Sequence, residues 1–304
     1  MGKMKSFFGR KKMSKNVQEQ VQNQVTAKRE EAKKNGKTRR YCLLVEDFFE
    51  STRMQGVMVI GNIHGRVRVG DTMYLYQPNQ PAKEVCVTGM ELGPRDVVET
   101  AKDCQVGLCL NLEKVEEVSR YAVLSSVRPL EGALAERVIE NQRLFGLMME
   151  YERLYTNSVY MDALLYELCY AKFVVPLHMK QQQVQRTEDG TPGVGVTAYV
   201  EFSALKKSDD DSELVFPAFT DEVATMSWKD AFKEGELKRF ATMQLPHLIQ
   251  YVKNGHTGLV INPFGPVPVC FSKELLDQVE QSEVFVNRYV KPAETKKQED
   301  TMEE

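Results

Sequence analysis

This chain of 304 residues is poor in the residue patterns that most chemistry needs. Its six cysteines, Cys42, Cys86, Cys104, Cys109, Cys169 and Cys270, include no Cys-x-x-Cys pair and no zinc-type spacing with histidine. That argues against a disulfide framework or a zinc site and for a reduced, cytoplasmic chain. The four histidines, His64, His178, His247 and His256, form neither HExxH nor a Cys/His quartet, and read as solvated or capping side chains. Neither a Gly-x-Ser-x-Gly elbow nor a Gly-x-x-x-x-Gly-Lys-Ser/Thr phosphate loop occurs, and no Asn-Lys-x-Asp guanine reader. GTP is therefore not expected as a ligand. The run Asp209-Asp210-Asp211 lacks the interleaved glycine and downstream glutamate of a calcium loop, so no metal is expected. No apolar stretch approaches the ~18 residues that span a bilayer, and no apolar h-region follows the N-terminus. A membrane span and a signal peptide are not expected.

What is present is an ordinary globular composition, 42% hydrophobic and 27% charged, with length for two domains. The charge is unevenly spread. Residues 1–40 carry thirteen Lys/Arg against three Glu, a local +10, so the net −3 leaves −13 on the remainder. This pattern is a basic arm on an acidic body. Residues 1–39 are expected to be disordered or partly helical, with Val17, Val21 and Val25 four apart and Gly36 as a stop. The arm is the candidate contact for RNA or the ribosome. Phe7 and Phe8, set among Lys3, Lys5, Arg10, Lys11 and Lys12, make peripheral contact with an anionic membrane a further option.

From residue 40 to 128 the pattern is all β. Candidate strands are Cys42–Phe49, Val57–His64, Thr72–Tyr76, Glu84–Leu92, Gln105–Leu112 and Tyr121–Val127, separated by turn signals such as Gly93-Pro94. The run from Gly56 to Asp71 alternates apolar and polar residues and carries glycine at 56, 61, 65 and 70. Such glycines permit the bends and close approaches of a small barrel. Six short strands suit closure, which removes exposed edges.

Pro129 opens a helical connector over 129–156, with Leu134, Val138, Phe145, Met148 and Met149 at helical spacing. Met161, Leu164, Leu165 and Leu168 repeat the period behind Thr156-Asn157-Ser158, which supplies N-cap chemistry. Residues 157–290 then alternate: strands at Phe173–Met179, Val196–Phe202 and Leu214–Pro217, a helix at Leu248–Lys253, a buried strand at Gly258–Asn262 and a helix capped by Ser272. Residues 291–304 form a charged tail. The fold class is multi-domain: an all-β small barrel, a helical connector and an α+β domain.

Three pieces in order carry a family resemblance. Glu46-Asp47-Phe48-Phe49, the run Gly56–Asp71, and Val87-Thr88-Gly89-Met90-Glu91 with Gln105-Val106-Gly107-Leu108 resemble the corresponding motifs of translation-factor domain II, the barrel of elongation factor Tu and its relatives. The glycine run has one residue fewer between its second and third glycines than that family. The resemblance implies contact with RNA, with Glu46, Asp47 and Phe49 on the strand that lines an aminoacyl pocket; Arg66 and Arg68 share a face and suit phosphate. A nucleotide-binding domain precedes this barrel in the family, and no residues here match one.

The second half resembles the SseB family, named for enhanced serine sensitivity. Phe173-Val174-Val175-Pro176-Leu177, Phe216-Pro217-Ala218-Phe219-Thr220-Asp221 and Gly258-Leu259-Val260-Ile261-Asn262-Pro263 carry the likeness. It implies a compact α+β domain and no particular reaction. Phe216, Pro217, Phe219, Asn262 and Pro263 are the candidate apolar ledge for a peptide, since aromatics beside prolines line such grooves. The same residues also fit a hydrophobic seam between helices and sheet. The expectation is a binding or adaptor protein with a protein partner, no catalytic residue and no cofactor. The alternatives are an RNA- or ribosome-associated factor and an enzyme with a site between the domains.

Overall fold

The computed structural model describes residues 41–132, 138–186, 193–206, 213–229, 232, 239–265 and 267–291. The basic arm with Phe7 and Phe8, the helical start at Leu134, the Asp209-Asp210-Asp211 run and the tail beyond Lys291 lie outside the described residues. Two compact units divide the chain, Met1–Ala171 and Lys172–Glu304.

Seven strands build the first unit: β1 (Cys42–Leu44), β2 (Asp47–Ser51), β3 (Gly56–Arg68), β4 (Thr72–Tyr76), β5 (Lys83–Glu91), β6 (Thr100–Leu110) and β7 (Val123–Ser125). They run β1-β7-β4-β5-β6-β3-β2, and a further β1–β3 pairing closes the ring into a barrel of six strands, with β2 extending along the same edge of β3. Alternation explains the interior: Leu43, Val59, Met73, Leu75, Leu108 and Leu124 are fully buried at every second position. Sequence alternation suggests one strand from Cys42 to Phe49, whereas the chain breaks it at Val45 and Glu46. There Val45 exchanges backbone hydrogen bonds with Tyr121 and Ala122, while Glu46 N–H turns to the Ile60 carbonyl at 2.8 Å. The switch lets one chain segment serve two neighbours. It also explains Gly61, because a Cβ there would fall on the Leu44 carbonyl oxygen.

Among the described residues, three α-helices follow the barrel: α1 (Gln142–Met149), α2 (Tyr151–Leu154) and α3 (Ser158–Tyr170). Asn157 caps α3 as its type demands, its side chain accepting from Tyr160 N–H at 3.1 Å. Leu144, Leu147 and Met148 of α1 and Tyr160, Leu164 and Leu168 of α3 are buried. Tyr160 donates to the Leu147 carbonyl at 2.6 Å. An ion pair between Arg143 and Glu167 links the two helices, and Arg143 also donates to the Tyr121 carbonyl at 3.2 Å. The helix expected to open the second domain, α3, thus falls in the same unit as the barrel.

The second unit is α+β. Its elements are β8 (Lys172–Arg186), β9 (Gly193–Phe202), β10 (Leu205–Lys206), β11 (Leu214–Ala218), α4 (Glu222–Thr225), β12 (Arg239–Gln244), α5 (Leu245–Lys253), β13 (Gly258–Ile261), β14 (Val269–Ser272), α6 (Lys273–Glu280) and α7 (Glu283–Phe285). One sheet runs β10-β11-β13-β14 and another β12-β8-β9. Backbone hydrogen bonds of 2.9 Å in both directions between Val174 and Phe219 join them. The pair β11–β13 is parallel; the other ladders in both sheets are antiparallel. Ser272 caps α6 through Leu275 N–H at 3.3 Å, as its position suggests. Strands β10, β12 and β14 are additions to the sequence expectation.

Candidate functional site

The five candidate residues of the barrel do not form one site. Asp47 and Phe49 project outward from β2 and are exposed, Phe49 at 46%. Arg66 and Arg68 are exposed on one face of β3. Asp47 pairs with Ile60, six residues before Arg66 along β3, a separation of about 20 Å at strand rise. Glu46 is committed elsewhere. Its carboxylate accepts from Arg153 Nη1 at 2.9 Å and Nη2 at 2.5 Å, a two-pronged grip from α2.

Arg153 leads to a cluster that sequence spacing does not reveal. Glu150, at the junction of α1 and α2, has a side chain only 3% exposed. It accepts from Arg153 Nε at 2.7 Å and Asn62 Nδ2 at 3.4 Å, and lies 2.5 Å from Nε2 of His64. Burial pushes the Glu150 carboxyl up, but the hydrogen bonds and charges of His64 and Arg153 outweigh it and hold the group below the usual carboxylate range. Cys42 sits directly opposite His64 in the β1–β3 register. Cysteine, histidine and glutamate in one place resemble a nucleophilic triad. The resemblance is chemical in name only: burial, then the charge of Glu150, pushes the Cys42 thiol up to about 12. That direction disfavours the thiolate form that a nucleophile needs. The cluster is a clasp that ties the α1–α2 junction to the barrel wall.

In the second unit the expected ledge is inside. Phe216 (1%), Phe219 (0%) and Asn262 (1%) are buried, as is Pro217, while Pro263 is partly exposed. As surface groups, Phe216, Pro217, Phe219 and Asn262 are therefore corrected to the seam. The reason is layering: Phe216 stacks on Tyr251 at 5.3 Å and meets His256 at 5.2 Å, which fills the side toward α5. Asn262 adopts φ 53°, the left-handed region that asparagine tolerates, and its side chain is used in full there. Its Oδ1 accepts from Thr220 N–H at 3.0 Å and its Nδ2 donates to Thr220 Oγ1 at 3.0 Å. Asp221 then accepts from Ala224 N–H at 2.8 Å and caps α4. The Asn-Pro turn after β13 thus fixes the turn after β11.

That clasp carries an apolar surface one layer above the expected one. Trp228 lies between Phe219 and Phe264, with ring centroids 6.2 and 5.5 Å away, and both Trp228 and Phe264 are partly exposed. Val223 and Met226, three residues apart on the turn that Asp221 caps, are 59% and 72% exposed. Three apart on a helical turn is one face. Sequence reading passed over Trp228, Val223 and Met226; the signal available was the position of the sole tryptophan just after an Asp-capped turn. No group of His, Cys, Asp and Glu among the described residues is placed to hold a metal ion, and no helix among them is long and apolar enough to cross a membrane.

Residues 148–278 match the family model of the SseB protein N-terminal domain. The match begins at the end of α1 and runs into α6, so it contains Trp228, the Thr220–Asn262 clasp and both exposed residues of α4 and its following turn. Comparison with the curated proteins finds no match.

Proposed function

We propose that this is a non-catalytic binding protein of the cytoplasm, whose SseB-like region recognises a protein partner through the surface of Val223, Met226, Trp228 and Phe264. The observation that carries this is the exposure of Met226 and Val223 on a turn anchored by the Asp221 cap and the Asn262 clasp. Large apolar side chains that are anchored and left in water mark interaction sites, and pre-ordering lowers the entropy lost on binding. The barrel is read as related to translation-factor domain II on its motifs and its six-strand closure. Affinity capture from the native cell tests the proposal: wild-type protein and a Met226→Asp variant are compared, and loss of the same partner with the variant supports it. Equal capture by both rejects it.

A second reading has its own support. Arg66 and Arg68 share an exposed face of β3, and residues 1–40 carry +10. RNA held this way binds mainly through phosphate, so its affinity falls steeply with salt. Capture that collapses on raising salt, and persists in Met226→Asp, favours the RNA reading over the protein one.

A further inference from the structure

Among the described residues the indole N–H of Trp228 has no hydrogen-bond partner. It also opens to the surface, since Ser119 Oγ is the only buried side-chain N or O atom without a partner among those residues. A tryptophan packed on other rings normally finds an acceptor for this donor. Its ring neighbours here, Phe219 and Phe264, supply none. Val223 is apolar, and the thioether of Met226 accepts only weakly. The flanks of this surface carry one charge of each sign, with Glu222 and Lys229 both exposed. A complementary segment is therefore apolar and without net charge. It brings a carbonyl for Trp228 and few N–H groups of its own.

We propose that the surface of Val223, Met226, Trp228 and Phe264 takes a proline-rich segment in the polyproline II conformation, with one carbonyl of the segment accepting from Trp228 Nε1. The inference rests on the protein-partner reading of this surface and narrows it. Hydrogen bonding selects the conformation. An α-helix uses its carbonyls on its own N–H groups, and a paired strand uses them in its ladder. Polyproline II makes no internal hydrogen bonds, so each of its carbonyls is free to accept. Proline also lacks an N–H, so the segment covers the apolar side chains without burying donors that they could not satisfy. Charge agrees with this choice. An uncharged segment suits flanks of opposite sign, which favour neither an acidic nor a basic partner. Order agrees as well, because polyproline II is preformed before it binds. The turn it meets is anchored by the Asp221 cap and the Asn262 clasp, so little conformational freedom is lost on docking.

Titration of the full chain with a peptide of about ten prolines tests this, read by the fluorescence of Trp228, the sole tryptophan. The expected result is a saturable change with half-saturation between roughly 0.1 and 1 mM. Trp228→Phe keeps a ring and removes the donor, and calorimetry should show its affinity reduced about fivefold. Met226→Asp should weaken binding by more than about tenfold. Circular dichroism verifies that both variants are folded. Wild-type fluorescence that stays unchanged at about 5 mM peptide overturns the inference. So does undiminished affinity in Trp228→Phe, or a glycine-serine or amphipathic helical peptide of the same length that binds as tightly. Capture from the native cell separates this failure from that of the underlying reading. Where Met226→Asp still abolishes capture of a partner, the surface stands and only the polyproline II assignment falls.

Discussion

Oε1 of Glu150 lies 2.5 Å from Nε2 of His64, and the two residues are 86 apart in sequence. This contact joins the α1–α2 junction to strand β3 through a carboxylate that is 3% exposed. Removing the charge takes the carboxylate from His64 and leaves Arg153 paired with Glu46 alone, whereas removing His64 leaves Glu150 still held by Arg153 and Asn62. Glu150→Gln is expected to destabilise the first unit by about 2–4 kcal/mol and His64→Gln by about 0.5–1.5 kcal/mol. Urea unfolding followed by far-UV circular dichroism measures both.

The acid limb of stability follows from the same carboxylate. Its folded value lies below the usual 4.5 of glutamate. A carboxylate lowered on folding contributes stability above its unfolded value and loses that contribution as pH falls through its folded value. Stability of the wild type should therefore fall below about pH 4.5, and more gently in Glu150→Gln. Glu167 acts in the opposite sense, because burial raises it despite Arg143. Its contribution grows as pH falls from its folded value toward the usual 4.5, so Glu167→Gln should remove a gain that lies above the window of the Glu150 decline.

Replacing a helix glycine by alanine normally stabilises by up to ~1 kcal/mol. At Gly146 the sign should reverse. A Cβ there would sit 2.5 Å from Cγ2 of Val123, a stiff β-branched side chain on β7. Gly146→Ala is expected to lower stability by about 1–3 kcal/mol through overpacking. Thermal unfolding of the variant with and without Val123→Ala checks the cause, since the second substitution should recover part of the loss.

Asn262 combines a left-handed backbone with a side chain that holds Thr220. Asn262→Gly keeps the backbone and loses the hydrogen bonds; Asn262→Ala loses both. The expected cost is about 1–3 kcal/mol for glycine and about 1 kcal/mol more for alanine. Trp228 is the only tryptophan and stacks over this turn, so its fluorescence reports the loosening directly as a red shift.

Met226 and Val223 should behave in the opposite way. Both are exposed, so Met226→Asp and Val223→Asp are expected to change stability by no more than about 0.5 kcal/mol. Partner binding should fall at the same time, measured by capture from the native cell. A large stability loss would place these side chains in a packing role.

The barrel was legible in sequence because its signal is local. Period-2 alternation marks Val106, Leu108 and Leu110 as inward, and glycine or proline marks the turns. Closure was expected from six short strands, but the break at Val45 that splits the first strand into β1 and β2 was not legible, because no alternation encodes it. The Glu150–His64 clasp was hidden for a related reason: neither residue forms a motif with its sequence neighbours. The ledge failed differently. An aromatic beside a proline looks the same whether its outer side faces water or Tyr251, so sequence left Phe216 and Phe219 open between a ledge and a seam, and the structure places them in the seam. Trp228 stands alone in its segment and offers no period to read.

Photocrosslinking in the intact native cell tests the central claim most directly. A benzoylphenylalanine is placed at position 226, with the same residue at position 273, an exposed site on α6, as the comparison. The account expects one or a few discrete protein adducts from position 226 that position 273 does not give. Identical adduct patterns from the two positions, or none from 226, would contradict it.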